Sequence, residues 1–205
     1  MMKRIAVFAS GSGTDFQSVI DANEKSKFCE IELLVAAKKG IGAIERAERH
    51  GIQTAFFCKS DYPDLEAMYS ALAYLLNMHR VDYVVLAGWL NIIPASFINS
   101  FKDRIINIHP SLIPAFCGAG FYGKKVHKAV IDYGTKVSGC TVHFVDEVPD
   151  GGAIIAQTAV EVKDDDTEES LQTRILEEEH KLLPYCVKKL CEGKIEKQGR
   201  KVTIN

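Results

Sequence analysis

Arg4-Ile-Ala-Val-Phe-Ala9 followed by Ser10-Gly-Ser-Gly-Thr-Asp15, with helical periodicity from about Phe16, reads as strand, glycine-bearing turn and helix. The run at 4–9 is apolar without alternating with polar residues, as expected of a strand covered on both faces in a parallel sheet. The same unit recurs along the chain: Ile31 to Ala37 then Ile41 to His50, Thr54 to Phe57 then Leu65 to His79, Tyr83 to Ala87 then a short helix from Pro94, and Ile105 to His109. Repetition of this kind predicts an α/β fold, a Rossmann-like and mostly parallel central sheet with helices on both faces. Ligands in such folds gather at the carboxyl ends of the strands.

After residue 110 the rhythm changes. A Gly/Pro-rich loop runs to Gly123, a helix is predicted over Lys124 to Tyr133, and two β-rich segments follow, Thr141 to Val145 and Ile154 to Val162. A helix over Thr167 to Leu190 and a charged tail or short hairpin complete the chain.

Composition narrows the function classes. With 205 residues, 47% hydrophobic and 25% charged, the chain fits one globular α/β domain. A formal charge of -2 gives no bulk attraction to a polyanion, so a nucleic-acid partner is not expected. The six cysteines, at 29, 58, 117, 140, 186 and 191, contain no Cys-x-x-Cys pair, which leaves zinc and a disulfide framework poorly supported and fits a reducing cytoplasm. The opening Met-Met-Lys-Arg leads straight into the first strand, and no stretch approaches the apolar length of a membrane span. A soluble protein without a membrane partner is expected.

Two strand ends carry the chemistry. If Ile105 to His109 is a strand, Asn107 and His109 share one face while Ile106 and Ile108 point into the core. The later Asp150-Gly-Gly can bring a carboxylate to that imidazole, because glycines allow a sharp turn and close backbone approach. Hydrogen-bond donor, acid/base and charged partner then stand together. Each residue also has a plain structural reading: His109 as a hydrogen-bonded core histidine, Asp150 as the start of an Asp-Gly turn, Thr14 or Asp15 as a helix cap. His143, inside a β-rich run, reads as structural. The loop at 10–15 offers backbone N–H groups and a helix dipole to an anion, phosphate above all. It is neither Gly-x-Gly-x-x-Gly nor a Walker loop, and Ala36-Ala37-Lys38 lacks the acid of a nicotinamide site.

Ser10 to Asp15, Leu86-Ala-Gly88, Asn107-Ile-His109-Pro-Ser-Leu-Ile-Pro114, Gly139-Cys-Thr-Val-His143-Phe-Val and Asp150-Gly-Gly together resemble the glycinamide ribonucleotide formyltransferases, folate-dependent enzymes of purine synthesis. The resemblance spans nearly the whole chain. Its strongest part, Asn-x-His-Pro-Ser with Asp-Gly-Gly, is shared by a wider group of formyl-tetrahydrofolate enzymes. Formyltetrahydrofolate hydrolases carry an added N-terminal domain and methionyl-tRNA formyltransferases an added C-terminal one, and a chain of this length is expected to have neither. The resemblance implies one formyltransferase domain over 1–205, with a nucleotide-binding half at 1–110, a folate and catalytic half at 111–193 and a tail at 194–205, working as monomer or homodimer on small molecules.

It also implies a site. Asn107, His109 and Asp150 would be catalytic. Gly11, Ser12, Gly13, Thr14 and Asp15 would hold the ribonucleotide phosphate and Glu179 its ribose. Leu86, Trp89, Leu90, Asn91, Ile92, Ile93, Asn107 and Val145 would bind 10-formyltetrahydrofolate, with no metal required. Trp89 has the alternative of being a core residue. Asp15 stands where the family has Asn, Asn91 where it has Arg, and Leu176 where it has a polar or basic side chain. Two like charges about 4–5 Å apart at an effective dielectric near 20 repel by roughly 3–4 kcal/mol before screening. Asp15 is therefore expected to weaken phosphate binding.

Overall fold

The computed structural model describes residues 2–205 and divides into two compact units, one running to Ile106 and the other from Asn107 to Asn205. The first begins with β1 (Lys3–Ala9), α1 (Thr14–Ser26), β2 (Cys29–Ala36), α2 (Gly42–Arg49) and β3 (Gln53–Phe56). It continues through a 3-10 turn at Lys59–Asp61 to α3 (Leu65–Met78), β4 (Tyr83–Leu86) and α4 (Ala95–Ser100). Strand order is β3-β2-β1-β4, and every pairing in that unit is parallel. Right-handed crossovers then send α1 and α2 to one face and α3 to the other. The packing agrees, α1 lying on α2 and α3 on α4.

Burial explains why the first strand was legible: Ile5 to Ala9 are wholly buried, as a strand covered on both faces must be. Leu33 to Ala36 and Val84 to Leu86 repeat the pattern beside it.

β5 (Ile105–His109) spans the change from one unit to the other. The second unit adds α5 (Lys124–Tyr133), β6 (Val137–Phe144), β7 (Ile154–Glu161), α6 (Glu168–Cys191) and a hairpin of β8 (Ile195–Gln198) with β9 (Lys201–Ile204). β5 neighbours β6, and β6 pairs antiparallel with β7. The long α6 packs on β6, β7 and α5, and starts in a capping box where Thr167 and Ser170 satisfy each other's backbone N–H groups. β6 begins four residues before the expected Thr141, because Val137-Ser-Gly-Cys140 lacks the bulky apolar residues that mark a strand in sequence. The tail takes the hairpin form, with β9 packed on β7.

Candidate active site

On β5 the side chains of Ile106 and Ile108 are buried, while Asn107 and His109 share the other face. His109 is itself only 4% exposed. Asp150 comes up to it, with Oδ2 3.5 Å from His109 Nδ1. The turn that delivers this carboxylate is tight: Gly151 N–H donates to the Val148 carbonyl at 2.8 Å and Phe144 N–H to the Ala153 carbonyl at 2.9 Å. A Cβ on Gly152 would overlap the Phe144 carbonyl, so close approach is what demands glycine there. The left-handed residue of the turn is Asp150, at φ 55, a conformation that Asp tolerates better than most residues.

His143 belongs to the same cluster, against the expectation that it would be merely structural. Its Nε2 lies 3.1 Å from Asn107 Nδ2 and 3.6 Å from Asp150 Oδ1, the second distance being too long for a hydrogen bond. The signal available was its period-two position near the end of β6; its partner Asn107 is too distant in sequence for local patterning to reveal.

Backbone groups set the proton positions. His109 Nε2 is 3.0 Å from the carbonyl of Phe116, which can only accept, so that nitrogen carries a proton. His143 Nδ1 donates likewise to the Phe144 carbonyl at 2.8 Å. A neutral His109 therefore turns a bare Nδ1 toward a carboxylate that also takes the Gly118 N–H at 2.8 Å. Burial lowers the pKa of His109 below 6.5, with Asp150 and the Phe116 carbonyl opposing the shift and His143 adding to it. Burial would raise Asp150, but His143, His109 and the Gly118 N–H outweigh it and hold the carboxyl below its usual range. At neutral pH the pair is a neutral imidazole backed by an anion, and a proton arriving at Nδ1 gains a charged partner at once. In this arrangement the Nε2–H is engaged by Phe116.

Within the first unit, the loop after β1 is braced from several sides. Ser10 N–H donates to Gly88 at 3.0 Å, Leu90 N–H to the Ser10 hydroxyl at 3.1 Å, and Ala43 N–H to Gly11 at 3.2 Å. Gly13 has φ 74, and a Cβ there would meet Ala43 at 2.7 Å. Gly13 is also the cap residue of α1, so Thr14 and Asp15 stand inside the first turn of the helix and not at its cap. Burial instead pushes the Asp15 carboxyl up to about 6. Arg46, which the sequence reading missed, donates from Nε to the Ser12 carbonyl at 2.9 Å and brings a cation to this loop.

The apolar set of the same unit divides. Leu90 and Ile92 are 60% and 76% exposed, whereas Leu86 is buried and Asn91 and Ile93 are partly so. Trp89 is 8% exposed, packs edge-on to Phe8 at 5.2 Å and donates its N–H to Tyr69 Oη at 2.8 Å. Its indole is thus anchored in the core, where a buried indole N–H needs the partner it finds. In the second unit Glu179 is 7% exposed on α6, and Val145 follows β6, partly exposed. Among the described residues no group of three or more His, Cys, Asp and Glu side chains is arranged to hold a metal ion.

The strand-end amide and imidazole thus stand together with a turn carboxylate, and comparison with known proteins shows the family. Residues 3–187 match the formyl transferase family, and the chain belongs to it. It is 44% identical over 195 residues to phosphoribosylglycinamide formyltransferase, chloroplastic, of Arabidopsis thaliana, covering 94% of this chain and 67% of that protein. With phosphoribosylglycinamide formyltransferase of Bacillus subtilis it shares 39% over 190 residues, 92% of this chain and 95% of the other. The crystal structure of glycinamide ribonucleotide transformylase 1 from Symbiobacterium toebii superposes with a TM-score of 0.93 at 38% identity, covering 99% of this chain and 94% of that one.

Proposed function

We propose that this chain transfers the formyl group of 10-formyltetrahydrofolate to the amine of glycinamide ribonucleotide, a step of purine biosynthesis. The observation that carries the reading is the approach of Asp150 to His109 Nδ1 at 3.5 Å, with Asn107 on the same face of β5. The amine attacks the formyl carbon, a C–N bond forms, and the formyl oxygen becomes an oxyanion. An amide nitrogen carries two hydrogens, so the Asn107 contact to His143 leaves a second N–H to donate to that oxygen. His109, backed by Asp150, takes the proton shed by the attacking nitrogen and returns it to the folate nitrogen as the old C–N bond breaks.

The remaining contacts belong to the same proposal. Gly11, Ser12, Gly13, Thr14 and Asp15 receive the phosphate, with Arg46 adding charge, and Glu179 takes the ribose hydroxyls. Leu86, Leu90, Asn91, Ile92, Ile93 and Val145 contact the folate, together with the backbone at Trp89. Six cysteines, none in a disulfide, fit a reducing compartment, and we place the chain in the cytoplasm. The test is a formyl-transfer assay with 10-formyltetrahydrofolate, run with and without glycinamide ribonucleotide. Release of tetrahydrofolate only when the nucleotide is present supports the reading; release at the same rate without it identifies a hydrolase.

A further inference from the structure

We propose that Gln157 is a positioning residue of this site, acting through the 111–118 loop on the His109–Asp150 pair. The proposal rests on the formyl-transfer reading above for its kinetic arm, and on geometry alone for its structural arm. Gln157 on β7 stands directly opposite Thr141 on β6. Its Nε2 donates to Thr141 Oγ1 at 2.9 Å and to the Ile113 carbonyl at 3.0 Å. Thr141 in turn donates to the Ser111 carbonyl at 2.6 Å and accepts the Ile113 N–H at 3.1 Å. A hydroxyl has one hydrogen to give and two lone pairs to fill, so Thr141 is fully used. The Ile113 carbonyl and the already donating Thr141 oxygen both require a donor, which fixes the Gln157 amide with its nitrogen inward.

The loop these bonds hold is the one that dresses the catalytic pair. Ser111 Oγ donates onward to the Ala115 carbonyl at 2.7 Å. The next residue, Phe116, sits at φ 49, a conformation an aromatic residue keeps only where its surroundings over-determine it. That strained residue presents the carbonyl that takes the His109 Nε2–H, and Gly118, at φ 85, presents the N–H that meets Asp150. One short loop therefore fixes both the tautomer of the imidazole and the orientation of its carboxylate. Gln157 supplies one of the bonds that tie its base to the sheet, and its second bond holds the Thr141 hydroxyl that makes two others.

Gln157→Met keeps the length of the side chain and removes both donors. Expected are a fall in kcat of about tenfold, KM values for both substrates within about twofold of wild type, and an acid limb of kcat/KM moved to lower pH. The direction follows because the Phe116 carbonyl is one of two influences that raise His109 against burial. Nitrogen NMR of the histidines should show His109 as the Nε2–H tautomer in the wild type and as a tautomer mixture in the variant. Gln157→Glu, which has no hydrogen to donate when ionised, should reproduce the defect; Gln157→Asn, a shorter amide donor, serves where Gln157→Met fails to fold. A lower melting temperature with kcat, pH profile and tautomer all unchanged would overturn the proposal. The tautomer signal does not depend on which amine accepts the formyl group, so failure of the functional reading and failure of this one are separable.

Discussion

Asn107 Nδ2 and His143 Nε2 stand 3.1 Å apart, and because the other ring nitrogen of His143 donates to Phe144, a neutral His143 must accept from the amide. The amide plane is thereby set, with its second N–H held in a fixed direction. Replacing His143 with Ala should cost about tenfold in kcat, the worth of one oriented hydrogen bond, with little change in KM. Asn107→Ala removes the proposed oxyanion donor itself and should cost more, on the order of 10²–10³. Steady-state kinetics of the two variants checks the order; a His143 variant as impaired as the Asn107 one would give that imidazole a direct role.

Asp15 is predicted to make nucleotide binding depend on pH. Its pKa is raised to about 6 by burial, so the carboxyl is neutral below that value and charged above it, where it would repel a phosphate held as proposed. KM for the ribonucleotide should rise as pH climbs through about 6, and Asp15→Asn should remove most of that rise. Screening reduces the bare repulsion of roughly 3–4 kcal/mol, so a KM about tenfold lower at pH 8 is the expected gain. Equal pH profiles for wild type and variant would show that the side chain does not face the phosphate.

Buried His127 should give the fold an acid-sensitive term. Burial, with His109 adding to it, lowers its pKa to about 4, against about 6.5 in an unfolded chain. The unfolded chain binds the extra proton between those values, so this contribution is in place above pH 6.5 and is lost as pH falls toward 4, amounting to about 3 kcal/mol. Urea unfolding of His127→Leu at pH 7 and pH 4.5 should show a shallower loss than the wild type. Parallel losses would place the proton elsewhere.

Much of the fold was legible because parallel strands buried on both faces announce themselves as unbroken apolar runs. Ile5 to Ala9 and Leu33 to Ala36 are such runs, and both are core. The start of β6 was not, since Val137-Ser-Gly-Cys140 carries small residues whose burial depends on what covers them. Of the candidate site, Asn107 with His109 followed from strand periodicity, and the Asp150 turn from its two glycines. What local patterning does not contain is long-range contact: the place of His143 beside Asn107, the Arg46 guanidinium at Ser12, and the Tyr69 hydroxyl that draws Trp89 into the core.

The proposed mechanism centers on coupling between His109 and Asp150, and a double-mutant cycle on turnover tests it most directly. His109→Ala and Asp150→Asn should each lower kcat by about 10²–10⁴, and the double variant should be little worse than the more impaired single one, because neither group performs the proton transfer without the other. Losses that simply add, or a His109→Ala rate within about threefold of wild type, a level far below the worth of acid/base catalysis, would contradict the account.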